Sequence, residues 1–271
     1  MNSPQALVVR PTLAWLDKRT LAYYRDLVLV LLGKEFKIRY KSTLLGYGWS
    51  VMHPLASALI LFVLFRVVMR FELPAYWLYL IGGLFAWQWI ANTVASANFY
   101  FLGNSTLIKK VRFQRAALVL AGVLNDLVHF LVSIPVVIGI MAYYHKWPRI
   151  EWLWMLPALV AVQLVMTFGL GLFVATSNLF FRDLERLSGI LMNLLFYLTP
   201  IVFTWDRVPA EYQWLLYVNP FAPLVACWHG LFYYDAVPMA CLAGACAWSA
   251  AFFALGWLVY SRCVWRFAEL V

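Results

Sequence analysis

Apolar residues gather into six long runs, at about 50–70, 78–99, 117–142, 152–178, 187–204 and 239–260. A helix needs ~20 mostly apolar residues to cross a hydrocarbon layer. The pattern therefore predicts an all-α integral membrane protein of six transmembrane helices, with residues 1–271 as a single membrane domain. The fourth run is long enough to tilt or project beyond the layer. The chain before the first run is mixed. At 100° per residue, Lys34, Lys37 and Lys41 fall on one narrow face, with Val28, Leu32, Phe36 and Tyr40 opposite. This predicts an N-terminal amphipathic interfacial helix within about 12–48, its apolar side in the acyl boundary and Arg39 snorkelling at the edge. Gly46 and Gly48 then permit a sharp change of direction, and Trp49 suits the headgroup layer.

Between the fifth and sixth runs the pattern changes. Ala210–Val218 and Phe221–Tyr234 are apolar and aromatic but too short to span, and Asn219-Pro220 separates them. Pieces of that length read as re-entrant or interfacial helices. Non-helical backbone at membrane depth is tolerated where protein or a water-filled cavity shields it. One expectation is a hairpin that dips into the outer mouth of a pore; the other is a loop lying on lipid. No internal repeat stands out, which weighs against transporters built from inverted halves.

Composition agrees with the pattern: 65% of residues are hydrophobic and 12% charged, against roughly 25% charged in soluble domains. The net charge of +9 sits between the apolar runs, so anionic lipid headgroups explain it better than nucleic acid does. Sixteen of the Lys and Arg residues fall in the N-terminal segment, the 2–3 and 4–5 connections and the C-terminus, and five in the alternate connections. The positive-inside rule then predicts both termini cytoplasmic in a multi-pass membrane protein. The early apolar stretch Leu27–Leu32 is too short for a cleavable signal and is followed by Lys34 and Lys37, so the first span is expected to serve as the insertion signal. Cys227, Cys241, Cys246 and Cys263 show no CxxC spacing and read as packing residues, not a metal or disulfide set.

Chemistry is sparse. Gly33-Lys34 is followed by Glu35, and residue 28 is Val where a phosphate-binding loop needs Gly, so any ATP and Mg used by the system belong to another chain. The third run carries Asn125, Asp126, His129 and Ser133. Asn125, His129 and Ser133 share a helix face, and Asp126 can touch His129. An ionised Asp at mid-span costs roughly 2.5–3.5 kcal/mol, so it must face protein or water, as a packing site, a proton relay or a metal ligand. Many aromatics lie near run ends (Trp77, Tyr79, Trp87, Trp152, Trp154, Trp205 and Trp214), as an interfacial belt does; some can also offer apolar stacking surface along a path. Polar or aromatic residues on otherwise apolar runs are the expected channel lining: Trp49, Ser57, Gln88, Asn92, Asn193 and Tyr197.

Several segments in order resemble the membrane subunit of ABC-2-type exporters of cell-surface polysaccharide. They are Arg39 to Leu55, Leu107-Ile-Lys-Lys-Val-Arg-Phe113, Phe181-Arg-Asp-Leu184, Thr199-Pro-Ile201 and Asn219-Pro220. The resemblance runs through most of residues 20–260. It implies a homodimer with two copies of a separate ABC ATPase, moving an O-antigen- or capsule-type glycan on a polyprenyl pyrophosphate across the bacterial inner membrane. Lys109, Lys110, Arg112, Phe113, Arg182 and Asp183 would then meet the ATPase, Asn219 and Pro220 would form an outer gate, and Arg39 and Lys41 would attract the anionic headgroup. The interfacial helix would be either a lipid anchor or a lever between the ATPase and the first span. Three positions depart from the pattern. Gln114 stands where relatives commonly have Pro, and Ala226 and His229 stand where they often carry an acid and an Arg, which puts a gate salt bridge in doubt. Teichoic-acid or small-molecule export is the nearest alternative. A membrane transferase using Asp126 and His129, or Asp183 and Glu185, is the alternative from another class.

Overall fold

The computed structural model describes residues 18–40, 48–111 and 113–270, whose regular structure is all helical, with no strand among them. Helix α1 (Lys18–Tyr40) precedes α2 (Gly48–Phe62), which continues as a π-helical turn to Val68. Helix α3 (Tyr76–Tyr100) leads through a 3₁₀ turn into the short α4 (Ser105–Lys110). Then come α5 (Ala116–Tyr143), α6 (Trp152–Phe180) and α7 (Leu184–Leu198). Two short helices, α8 (Trp214–Val218) and α9 (Ala222–His229, extended as a π turn to Tyr234), precede α10 (Met239–Cys263). A 3₁₀ turn and α11 (Phe267–Leu270) close the chain.

Helices α2, α3, α5, α6, α7 and α10 alternate in direction between two ends of one bundle. One end carries α4 and the C-terminal turn, and the other carries the α8–α9 hairpin. By length and composition, Val51–Val68, Ala116–Tyr143, Trp152–Phe180 and Met239–Arg266 can cross a membrane. The bent pair Ala210–Val218 and Ala222–Tyr234 would make a fifth such span.

The expected second and fifth runs fall outside that set for different reasons. Helix α3 is long enough, but Trp, Tyr, Gln88, Asn92 and Asn98 dilute its hydropathy. It is the central helix, packed on α2, α5, α6, α7 and α9 and buried over most of its length. A helix facing protein on nearly every side does not need the hydropathy of one facing lipid. Helix α7 stops at Leu198, about 22 Å long, instead of running to 204. Thr199 lies in extended backbone, as the residue before a proline tends to.

The tightest seam joins α6 and α10. At Gly169 an added Cβ would lie 2.5 Å from the backbone carbon of Phe252, and at Gly256 it would strike the Gly169 carbonyl oxygen. Only glycine permits this backbone-on-backbone approach. The Ser249 hydroxyl extends the seam by donating to the Val162 carbonyl at 2.9 Å.

Polar groups inside the bundle are tied to neighbours. Asp126 is buried between α5 and α3 and accepts from the Thr93 hydroxyl at 3.2 Å. His129 meets the Phe36 ring edge-on at 6.3 Å. Both fit the packing reading, and no group of three metal-ligating side chains occurs among the described residues. The four cysteines are free thiols, with Cys227 and Cys241 buried.

Helix α1 forms where expected but presents a different face. It packs along α5, with Leu31 buried and Lys34 donating to the Asn104 side chain beside α4. Lys34, expected on the outward basic face, instead lies on the protein side, while Leu29 and Val30 are open. A carbonyl acceptor that only the folded chain supplies turns the helix.

Candidate functional site

The bundle has a working feature at each end. At the first end, α4 places Lys109 and Lys110 in its last turn, both exposed. The loop to α5 brings Phe113, Gln114 and Arg115 beside Tyr260 and Val264 around a cleft of about 620 Å³. Among the described residues its cations are Lys109, Lys110 and Arg115, and no acid lines it. Arg182 and Asp183 are exposed at the α6–α7 turn of the same end, where Asp183 occupies the N-cap position of α7. Arg112 and Lys41 lie outside the described residues, and Arg39 is described only as backbone of α1.

At the other end, the α8–α9 hairpin bends by 104°, with Asn219 at the corner. Asn219 Nδ2 donates to the Leu198 carbonyl at 3.2 Å and to the Thr199 hydroxyl at 3.0 Å, and its Oδ1 accepts from the Phe221 N–H at 3.0 Å. One side chain thus holds its own turn and fastens it to the end of α7. The motifs Thr199-Pro200 and Asn219-Pro220, twenty residues apart, meet here. Pro220 fixes the chain direction into α9. Helix α9 then runs inward, buried from Ala222 to His229 apart from Ala226, as shielded re-entrant backbone requires.

Gln163 anchors this inward helix, and no sequence pattern points to it. Its amide donates to the Ala86 carbonyl at 2.9 Å and accepts from Trp228 Nε1 at 2.6 Å, joining α3, α6 and α9 through one buried side chain. Nothing local marks a glutamine whose two partners lie 77 and 65 residues away. Gln163→Leu leaves the buried Trp228 indole N–H without a partner, at about 1–3 kcal/mol, and removes the second donor to the Ala86 carbonyl, which keeps its helical bond. The expected result is a clearly lower melting temperature of the purified protein in detergent. An unchanged melting temperature would remove Gln163 as the anchor.

His229 stacks on Tyr79 with ring centroids 3.8 Å apart, and Tyr79 in turn donates to the carbonyls of Pro200 and Phe203, at 3.1 and 2.8 Å. These groups border a cavity of about 300 Å³ with Trp205, Asp206, Tyr217, Ala226 and Tyr234. Two of the positions that depart from the expected pattern, Ala226 and His229, both line it, so a ring stack and open space stand where an ion pair was in doubt. From the α5–α6 connection, Lys146 donates to the Tyr233 carbonyl and Arg149 pairs with Asp235 at 3.6 Å.

Between the two ends lie the expected lining residues. Trp49 is exposed on α2, whereas Ser57 is half-buried and donates to the His53 carbonyl at 3.1 Å. Gln88 donates to Asn92 at 2.7 Å. Together with Ala95 and Phe99 they mark the one open stripe of α3. Asn193 and Tyr197 are exposed on α7, which packs on α3 through Asn98–Ser188 at 3.3 Å and Trp87–Phe196 at 5.7 Å.

Comparison with known proteins places this arrangement. Residues 26–233 match the family model described as ABC-2 type transporter. The chain is 37% identical over 259 residues to the O-antigen export system permease protein RfbA of Klebsiella pneumoniae, covering 94% of this chain and 98% of that one. It is 30% identical over 222 residues to the protein of the same name from Myxococcus xanthus, covering 81% and 85%. The Polysialic acid transport protein KpsM of Escherichia coli is 23% identical over 203 residues. Apolar helices, a bent hairpin at one end and a basic loop at the other thus occur together in a chain that belongs to the ABC-2 type transporter family.

Proposed function

We propose that this chain is the membrane-spanning permease of an exporter that moves a lipid-linked polysaccharide of the O-antigen or capsule type across the bacterial inner membrane. The observation that carries this reading is the end-to-end likeness to permeases named for O-antigen export, at 37% identity over 94% of the chain. In this reading, α2, α3, α5, α6, α7 and α10 are the six spans and both termini are cytoplasmic. The permease works as a homodimer with two copies of a separate ATPase, which holds the ATP and Mg.

The chain's own residues supply four functions. Lys109, Lys110 and Phe113 present a basic, partly aromatic edge to the ATPase, with Arg112, Arg182 and Asp183 beside it. Arg39 and Lys41 attract the polyprenyl pyrophosphate at the membrane surface, as cations near an anionic headgroup do. The open faces of α2, α3 and α7, with Trp49, Ser57, Gln88, Asn92, Asn193 and Tyr197, line the path. A long hydrophilic polymer needs weak, repeated contacts, which short amides and exposed aromatic faces provide. Asn219 and Pro220 set the corner of the outer gate.

The direct test is gentle purification of the tagged chain from its native host, with mass spectrometry of what accompanies it. A P-loop ATPase in one-to-one ratio is expected; its reproducible absence under conditions that preserve transporter complexes would overturn the reading. Asp126→Asn separates transport from transferase chemistry. Asp126 accepts from Thr93, and an amide oxygen can still accept there, so export is expected to stay within about threefold of wild type, under 1 kcal/mol. A drop of several orders of magnitude would instead mark Asp126 as a reacting group.

A further inference from the structure

We infer that the C-terminal turn is part of the coupling machinery, with Phe267 and Tyr260 positioning Arg115 so that a push on the 105–115 loop is carried into α10. The inference rests on the reading that this loop meets the ATPase. Its observations are separate from those behind that reading.

Of the cations around the inner cleft, Lys109 and Lys110 are exposed at its edge. Arg115 is turned inward. It donates to the Val264 carbonyl, and its guanidinium lies 5.5 Å over the Phe267 ring. Phe267 is 0% exposed although it lies five residues from the chain end. Phe101 stands 4.7 Å from it and Tyr260 5.9 Å, centroid to centroid. The C-terminal ring is therefore wedged between the end of α3 and the end of α10.

The start of α5 is held from the same side. The first backbone N–H groups of a helix have no partner within it, and Arg115, at the N-cap of α5, provides no side-chain cap. The Tyr260 hydroxyl, from α10, accepts the Ala116 N–H at 3.0 Å. The last residue of the loop and the first of α5 are thus both fastened to α10. In turn, α10 makes its most extensive packing with α6 along the Gly169–Gly256 seam. Displacement of the loop cannot leave α10 behind unless these contacts break. An Arg that stacks on a ring while donating to a carbonyl is not replaced by Lys, whose ammonium is a compact point charge without a planar face.

The experiment uses the permease reconstituted with its ATPase and reads three quantities: ATPase retained per permease, ATP hydrolysed, and glycan exported per ATP. Changes along a coupling network shift coupling by roughly 2- to 30-fold. Phe267→Ala is expected to keep the ATPase at wild-type ratio and hydrolysis within about twofold, while export per ATP falls about tenfold. Phe267→Trp is expected to restore it. Export per ATP is normalised to assembled complex, so a merely structural defect lowers yield and leaves the ratio alone. If Phe267→Ala does not accumulate, Phe267→Leu and Arg115→Lys carry the test. An unchanged ratio in Phe267→Ala, or in both replacements, would overturn the inference. Failure of the docking reading would appear elsewhere, as a Lys109→Glu/Lys110→Glu variant that still retains the ATPase.

Discussion

Lys109→Glu combined with Lys110→Glu is expected to abolish export while leaving the protein inserted and folded. Both side chains are exposed in the last turn of α4, so neither reversal disturbs the core. Among the described residues the cleft they border carries three cations and no acid, so a partner seated there presents acidic or neutral surface. Reversal then sets like charges against each other at the contact, which costs several kcal/mol, and ~3 kcal/mol already weakens docking about 100-fold. The check is the amount of ATPase retained on the purified variant, together with surface glycan in cells. Wild-type export by a normally inserted double variant would end the assignment of this loop.

The second large effect concerns the fold. Gly256→Val places a branched side chain where even a Cβ meets the Gly169 carbonyl oxygen. Because the obstacle is backbone, no rotamer relieves it, and α6 and α10 must separate along their length. Overpacking typically costs 1–3 kcal/mol, occasionally more; a backbone clash at the best-packed helix pair belongs at or above the top of that range. The expected result is little or no protein surviving detergent extraction. Gly139→Val is the matched control, because an added Cβ there meets nothing within 4 Å. Equal yields from the two variants would show that the seam tolerates separation.

The sequence was informative where physics acts locally. Hydropathy located α2, α5, α6 and α10, and the Asn219-Pro220 break located the hairpin corner, because span length, proline geometry and lipid exposure are each written in a short window. It was less informative where a residue's role depends on a distant partner. The partner of Lys34 is Asn104, seventy residues away, so its pattern pointed outward while the fold turned it inward. Gln163 and Phe267 drew no attention for the same reason: a lone amide in an apolar run and an aromatic near a terminus are ordinary until α3, α9 and α10 close around them. The lining residues Gln88 and Asn92 were found by polarity, and they mark the one open stripe of an otherwise buried helix.

That helix has a consequence for how the protein is made. Helix α3 is the most enclosed of the long helices and carries three buried or half-buried amides, Gln88, Asn92 and Asn98, along its length. A segment leaves the translocation machinery for lipid according to its own hydrophobicity, and α3, with Gln88, Asn92 and Asn98, is poorly equipped to do so alone. Its aromatic and amide groups become favourable only once α5 and α6 have arrived to meet them. Insertion is therefore expected to be ordered, with α3 settling into place only after the chain that follows it has been made. Shortening the nascent chain before α6 should leave α3 unable to hold its place in the membrane, however well the helix itself is formed.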